Sequence, residues 1–105
     1  FLREVRKLAQ KRDFDFVPRR KNLLALSKYG LTVYDAREIL AELKSEDYYK
    51  GPKKDFTKPG EIWEFKRQIN GTWFYIKLKI VENAGYTVLK CIGFHEDEFS
   101  KDSMR

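Results

Sequence analysis

The dipeptide Asn70-Gly71 lies between two stretches of alternating apolar and polar residues, 61–69 and 72–80. No other feature narrows the possible folds so far. Both positions of a two-residue type I′ turn need positive φ, which Asn and Gly tolerate, so the two stretches are predicted to pair as an antiparallel hairpin. The turn sets the register, with Ile69 facing Thr72, Gln68 facing Trp73, Lys66 facing Tyr75, Phe65 facing Ile76 and Glu64 facing Lys77. Side chains alternate at period two. One face therefore collects Trp63, Phe65, Phe74, Ile76, Leu78 and Ile80 as a core wall, and the other collects Glu64, Lys66, Gln68, Trp73, Tyr75, Lys77 and Lys79.

A third alternating run, 86–95, follows Asn83-Ala84-Gly85, which reads as a three-residue loop. With Glu82 opposite Tyr86, Ile76 meets Ile92 and Phe74 meets Phe94, while Cys91, Gly93 and His95 join the polar face. Gly93 then lies opposite Tyr75, and His95 opposite Trp73. A register shorter by two residues also keeps the faces matched. In both, the only histidine of the chain shares a face with Tyr75 and Glu64.

Upstream, residues 1–12 place Leu2, Val5, Leu8 and Ala9 on one stripe of an amphipathic basic helix, and Phe1 falls mid-helix, which implies preceding residues. Residues 14–17 read as an edge strand ended by Pro18. The cationic cluster Arg19-Arg20-Lys21 follows, and then a helix over 22–29 with Leu23, Leu24 and Leu26 as its apolar residues and Gly30 at its C-terminal cap. Thr32 and Asp35 form an acidic capping box for a further helix carrying Ala36, Ile39, Leu40 and Leu43. Residues 51–60, rich in Gly, Pro and Lys and including Lys53 and Lys54, are expected to be a mobile basic loop at the entrance of the sheet. Residues 97–105 read as a polar, flexible tail. Helices first and strands last predict a single α+β domain over residues 1–96, with helices packed on one face of an antiparallel meander.

The net charge of +6 is uneven: residues 1–58 carry fifteen Lys and Arg against nine Asp and Glu, and the remainder balances. Such asymmetry favours a polyanionic partner such as nucleic acid. Cys91 is the only cysteine, so neither an internal disulfide nor a zinc cluster can form, in keeping with a reducing cytoplasm. The chain has no membrane-spanning apolar run, signal-peptide pattern, nucleophilic triad, P-loop or metal-ligand spacing, and no cofactor is implied.

A face carrying amines, a phenol, a carboxylate and an imidazole suits RNA cleavage by proton transfer. One group takes the 2′-hydroxyl proton, another protonates the leaving 5′-oxygen, and cations neutralise the pentavalent phosphate. His95 is the natural proton carrier because an imidazole titrates near neutral pH. Glu64 is either a second base or one half of a cross-strand ion pair with Lys77. Tyr75 can bond a phosphate oxygen or stack a base.

The segment Leu43-Lys44-Ser45-Glu46-Asp47-Tyr48-Tyr49-Lys50, with Ile62-Trp63, Tyr75-Ile76-Lys77-Leu78, Ile92-Gly93-Phe94, Tyr29-Gly30-Leu31 and Arg20, resembles the MqsR (motility quorum-sensing regulator) family of toxins of type II toxin–antitoxin systems. The resemblance implies a RelE-like fold, metal-independent mRNA interferase activity that stops translation and growth, a cytoplasmic location, and two partners, RNA and a cognate antitoxin. The family's functional lysine falls on Lys50 and its functional tyrosine on Tyr75. Two positions depart: Glu64 stands where a glutamine is expected and His95 where a lysine is. The catalytic candidates are Lys50, Glu64, Tyr75 and His95, and the substrate-binding candidates are Lys77, Lys66, Trp73, Arg20, Lys53 and Lys54. The alternative is a non-catalytic basic RNA- or DNA-binding, or antitoxin-docking, module that keeps the fold.

Overall fold

The computed structural model describes residues 1–98. Three helices, α1 (Leu2–Gln10), α2 (Arg20–Tyr29) and α3 (Val33–Ala41), pack on one face of a five-stranded sheet. Its strands are β1 (Phe14–Phe16), β2 (Tyr48–Lys54), β3 (Glu61–Ile69), β4 (Thr72–Asn83) and β5 (Tyr86–Glu96), in the spatial order β1-β5-β4-β3-β2. The domain is α+β with the helices grouped on one side, as the sequence predicts. The sheet is mixed rather than a pure antiparallel meander, because the edge strand β1 runs parallel to β5. No helix among the described residues is long and apolar enough to cross a membrane.

Asn70 and Gly71 both have positive φ, 50° and 83°. The β3–β4 register follows from them, with Glu64 opposite Lys77, Phe65 opposite Ile76 and Lys66 opposite Tyr75. Thr32 accepts a hydrogen bond from the Asp35 amide at 3.0 Å while Asp35 accepts one from the Thr32 amide, so the predicted capping box starts α3. The core lies between helices and sheet, where Phe65, Phe74, Phe94, Ile76 and Leu78 meet Val5, Leu26 and Leu40. Phe74 and Phe94 sit with ring centroids 5.2 Å apart.

The β4–β5 hairpin differs from both expected registers. Its turn has two residues rather than three, since Asn83 pairs with Tyr86 and both Ala84 and Gly85 take positive φ. That one-residue difference reverses the faces of the outer half of β5. Leu89 and Cys91 consequently face the core, with Cys91 fully buried opposite Leu78 rather than on the polar face. A β-bulge then inserts Ile92 between the pairs Leu78–Cys91 and Lys77–Gly93 and restores the original alternation. Beyond the bulge Phe94 lies opposite Ile76, Gly93 opposite Lys77, and His95 opposite Tyr75.

Asn22 holds this bulge in place. Its side-chain amide donates to the carbonyls of Ile92 (2.8 Å) and Val17 (3.0 Å), and its oxygen accepts from the Phe94 amide (3.0 Å). The buried face of α2 is consequently Asn22, Ala25 and Leu26. Leu23 and Leu24, expected in the core, are instead about half exposed. Asn22→Ala would strand buried backbone groups that each cost about 1–3 kcal/mol when left without a partner. Urea unfolding should register a loss of at least about 2 kcal/mol, and a change inside the roughly ±0.5 kcal/mol of ordinary surface substitutions would contradict the assignment.

Of the expected mobile loop at 51–60, residues 51–54 belong to a strand and 55–60 are a connection without regular structure. Residues Tyr48–Lys54 form β2 along the edge of β3, with Pro52 in an irregular stretch between Lys50 and Lys53 where a missing donor is tolerated. Gly51 has φ 116°, and a Cβ there would lie 2.7 Å from the Ile62 carbonyl oxygen, so the strand can close on β3 only with glycine at this point. The connection at 55–60 is tied down as well, because Asp55 binds the buried Lys79 at 2.6 Å and also accepts from Thr57 and Lys58. At the other end, Glu96 completes β5 and the Asp97 amide donates to the Trp73 carbonyl at 2.8 Å, so the domain extends past the expected boundary. The remainder of the expected tail, 99–105, lies outside the described residues.

Candidate functional site

On the face of the sheet opposite the helices is a hollow of about 410 Å³. Strands β3, β4 and β5 bring Glu64, Lys66, Tyr75, Lys77 and His95 into it, and β2 adds Tyr49 and Lys50. Arg19 and Lys21 border it from the start of α2, with Asp97 and Glu98 beyond the end of β5.

His95 owes its place to the bulge at Ile92, without which it would turn to the core. Its ring packs against Tyr75 with centroids 5.5 Å apart. Nδ1 lies 3.0 Å from the Glu96 carbonyl oxygen. A carbonyl can only accept, so Nδ1 carries the hydrogen in this contact and the neutral ring keeps its lone pair on Nε2. Gly93 supplies the room beside it, since a Cβ there would come within 3.2 Å of the Lys77 Cβ and 3.8 Å of Nε2.

Glu64 is buried, and both its oxygens are engaged. Oε1 accepts from the Tyr75 hydroxyl at 2.5 Å, and Oε2 forms an ion pair with Lys53. Burial alone would raise its carboxyl pKa. The hydrogen bonds from Lys53 and Tyr75 and the charges of Lys53 and Lys77 outweigh that, and the net direction is downward. Burial and the Glu64 carboxylate together push the Tyr75 phenol well above its ordinary range, so it stays protonated and donates. Glu64 is therefore an ionised anchor and a weak base. Its ion-pair partner is Lys53 on the edge strand, although Lys77 is its backbone neighbour in the sheet.

The other charges divide in two groups. Lys66, an expected substrate ligand, is buried against Asp97 at 2.9 Å with its ammonium 4.0 Å from the centre of the Tyr49 ring, so it holds the floor together rather than facing a ligand. Lys21 pairs with Glu98 at 2.7 Å. Lys50, Lys77 and Arg19 take part in none of the ion pairs among the described residues. Three cations thus border a hollow whose carboxylates are already matched by lysines. The hollow therefore carries an excess of positive charge.

Four candidates do not line the hollow, and of these Lys53 touches it only through its ion pair with Glu64. Trp73 is half-buried next to the β3–β4 turn and does not line the hollow. Arg20 begins α2 as an exposed residue, while its neighbours Arg19 and Lys21 reach the site. Lys54 is exposed at the end of β2, opposite Glu61. Sequence reasoning also missed Asp97, which extending the period-two alternation two residues beyond His95 would have placed on this face. Tyr49 belongs to the motif at residues 43–50. In that motif Asp47 is structural: it accepts from the Lys44 amide and binds Arg67 at 2.8 Å, fixing the turn that leads into β2.

Among the described residues, no three His, Cys, Asp or Glu side chains converge as a metal-binding set. No protein-family model matches the chain, and no curated protein matches it.

Proposed function

We propose that the protein is an endoribonuclease that cleaves RNA by attack of a 2′-hydroxyl on the adjacent phosphate, without a metal, and acts as the cytoplasmic toxin of a type II toxin–antitoxin pair. The observation that carries this reading is the meeting, in one hollow, of the imidazole Nε2 of His95 with the ammonium groups of Lys50 and Lys77. His95 takes the 2′-hydroxyl proton as O2′ bonds to phosphorus. The bond from phosphorus to O5′ breaks, and Lys50 or Lys77 gives the leaving oxygen its proton. The other ammonium and Arg19 neutralise charge on the phosphoryl oxygens. Tyr75, with its hydroxyl committed to Glu64, positions the His95 ring and the nucleotide through its ring face. The resemblance of residues 43–50 and 75–78 to the MqsR toxins supports the same reading, with an antitoxin as the protein partner.

Purified protein incubated with naked RNA in EDTA should give discrete fragments, and its expression should arrest growth unless a neighbouring antitoxin gene is supplied. Binding that weakens with salt, with no cleavage at any pH, would leave only a nucleic-acid-binding module. Glu64→Gln separates the two roles open to that residue. Loss of a general base would lower kcat by about 10²–10⁴-fold. For an anchor, kcat should hold and KM should fall, because the change frees Lys53 and removes a repulsion worth about 1 kcal/mol, roughly fivefold. A collapse of kcat in this variant would return Glu64 to the role of base.

A further inference from the structure

The same open face carries a second and larger depression, of about 610 Å³, beside the catalytic hollow. Val81 and Ile92 line it from the sheet, Pro18 from the segment after β1, and Pro59 from the connection between β2 and β3. Ile92 is on this face because it follows Cys91, which the two-residue turn places on the core side. Two of the carboxylates here are neutralised, Asp55 by Lys79 at 2.6 Å and Asp15 by Lys90 at 3.0 Å. The third, Glu82, takes a long hydrogen bond of 3.5 Å from Thr87. Two cations, Arg19 and the exposed Lys58, line the depression without an ion pair among the described residues. Arg19 also lines the catalytic hollow, so the two depressions adjoin at this residue.

We propose that this depression is a subsite for a nucleotide flanking the scissile linkage. Its base lies on Val81, Ile92 and Pro18, and its phosphate lies between Arg19 and Lys58. The assignment rests on RNA being the ligand of the adjoining hollow. An aliphatic surface accepts any base because the faces of all four are apolar, while the arginine shared by the two depressions lets the backbone run from one to the next. The volume is within the range of small-ligand sites. The subsite predicts that affinity grows with RNA length beyond the two nucleotides that the catalytic hollow needs.

The test uses labelled 2′-O-methyl oligonucleotides, which lack the attacking hydroxyl and stay intact, as a dinucleotide and a hexanucleotide. Wild-type protein should bind the hexanucleotide much the more tightly. Val81→Glu and Lys58→Glu should each remove about tenfold of that affinity and leave the dinucleotide unchanged. Lys58 sits on an exposed connection, so the second variant stands even if the first disturbs the strand. Hexanucleotide binding equal to wild type in both variants, equal weakening of both probes, or no binding of either probe by the wild type would overturn the subsite. RNA cleavage together with unaltered hexanucleotide binding in the variants removes the subsite alone. Binding that the variants weaken, in a protein that never cuts RNA, removes the ribonuclease and leaves the subsite.

Discussion

His95→Ala is expected to lower the rate of RNA cleavage by about 10²–10⁴-fold, the usual contribution of a positioned general acid or base. The imidazole is not one of the core side chains. Its Nδ1 hydrogen is held by the Glu96 carbonyl, Nε2 is left to accept, and the half-buried ring rests on Tyr75 outside the core cluster. The variant should therefore fold and bind RNA as the wild type does, with the loss confined to kcat. His95→Gln, which retains polarity without a titratable ring, should be equally slow. Full cleavage by both variants would remove His95 from the chemistry. A loss confined to KM would recast it as a substrate-binding group.

The second large effect concerns stability. Lys66 and Asp97 are almost wholly buried and paired at 2.9 Å, with the ammonium also over the Tyr49 ring. Breaking a buried ion pair by removing one of its members typically costs about 3–5 kcal/mol. In a domain of this size each kcal/mol corresponds to roughly 4–8 °C, so Lys66→Ala should lower Tm by more than about 10 °C. The double variant Lys66→Met with Asp97→Leu should recover most of the loss, since a well-packed apolar pair of similar volume is often as stable as a buried ion pair. A single variant as stable as the wild type would show that the ammonium is solvated, and would restore Lys66 as a candidate phosphate ligand.

What the sequence disclosed and what it concealed differ in range along the chain. Asn70-Gly71 carries its backbone requirement within two residues, and the β3–β4 register followed from it. The α3 capping box was equally local. The course of β5 was not, because its bulge is held by Asn22, seventy positions from the Ile92 carbonyl it binds. No period-two reading of 86–95 alone contains that contact. Two departures from the expected register, a turn one residue shorter and a one-residue bulge, each reverse the alternation once and together shift the pairing by two residues. For that reason His95 and Gly93 lie on the open face while Cys91, between turn and bulge, is in the core.

The charged candidates divided on a similar distinction. Lys50 and Lys77 line the hollow without ion pairs, whereas Lys53 and Lys66 are held by Glu64 and Asp97. Composition counts cations and cannot tell which of them already have a partner. The Gly, Pro and Lys content of 51–60 marks the loop at 55–60 but hides the irregular edge strand at 51–54, which glycine and proline permit. In α2, the Leu residues at 23 and 24 drew the apolar face away from Asn22, whose three hydrogen bonds set the rotation of the helix.

The most direct measurement is the chemistry of the RNA ends produced by the purified protein in EDTA. Attack by the neighbouring 2′-hydroxyl predicts a 2′,3′-cyclic phosphate on one fragment and a free 5′-hydroxyl on the other, with neither formed on RNA carrying a 2′-O-methyl group at the cut. Fragments ending in a 3′-hydroxyl and a 5′-phosphate, or no fragments from an otherwise folded protein, would contradict it.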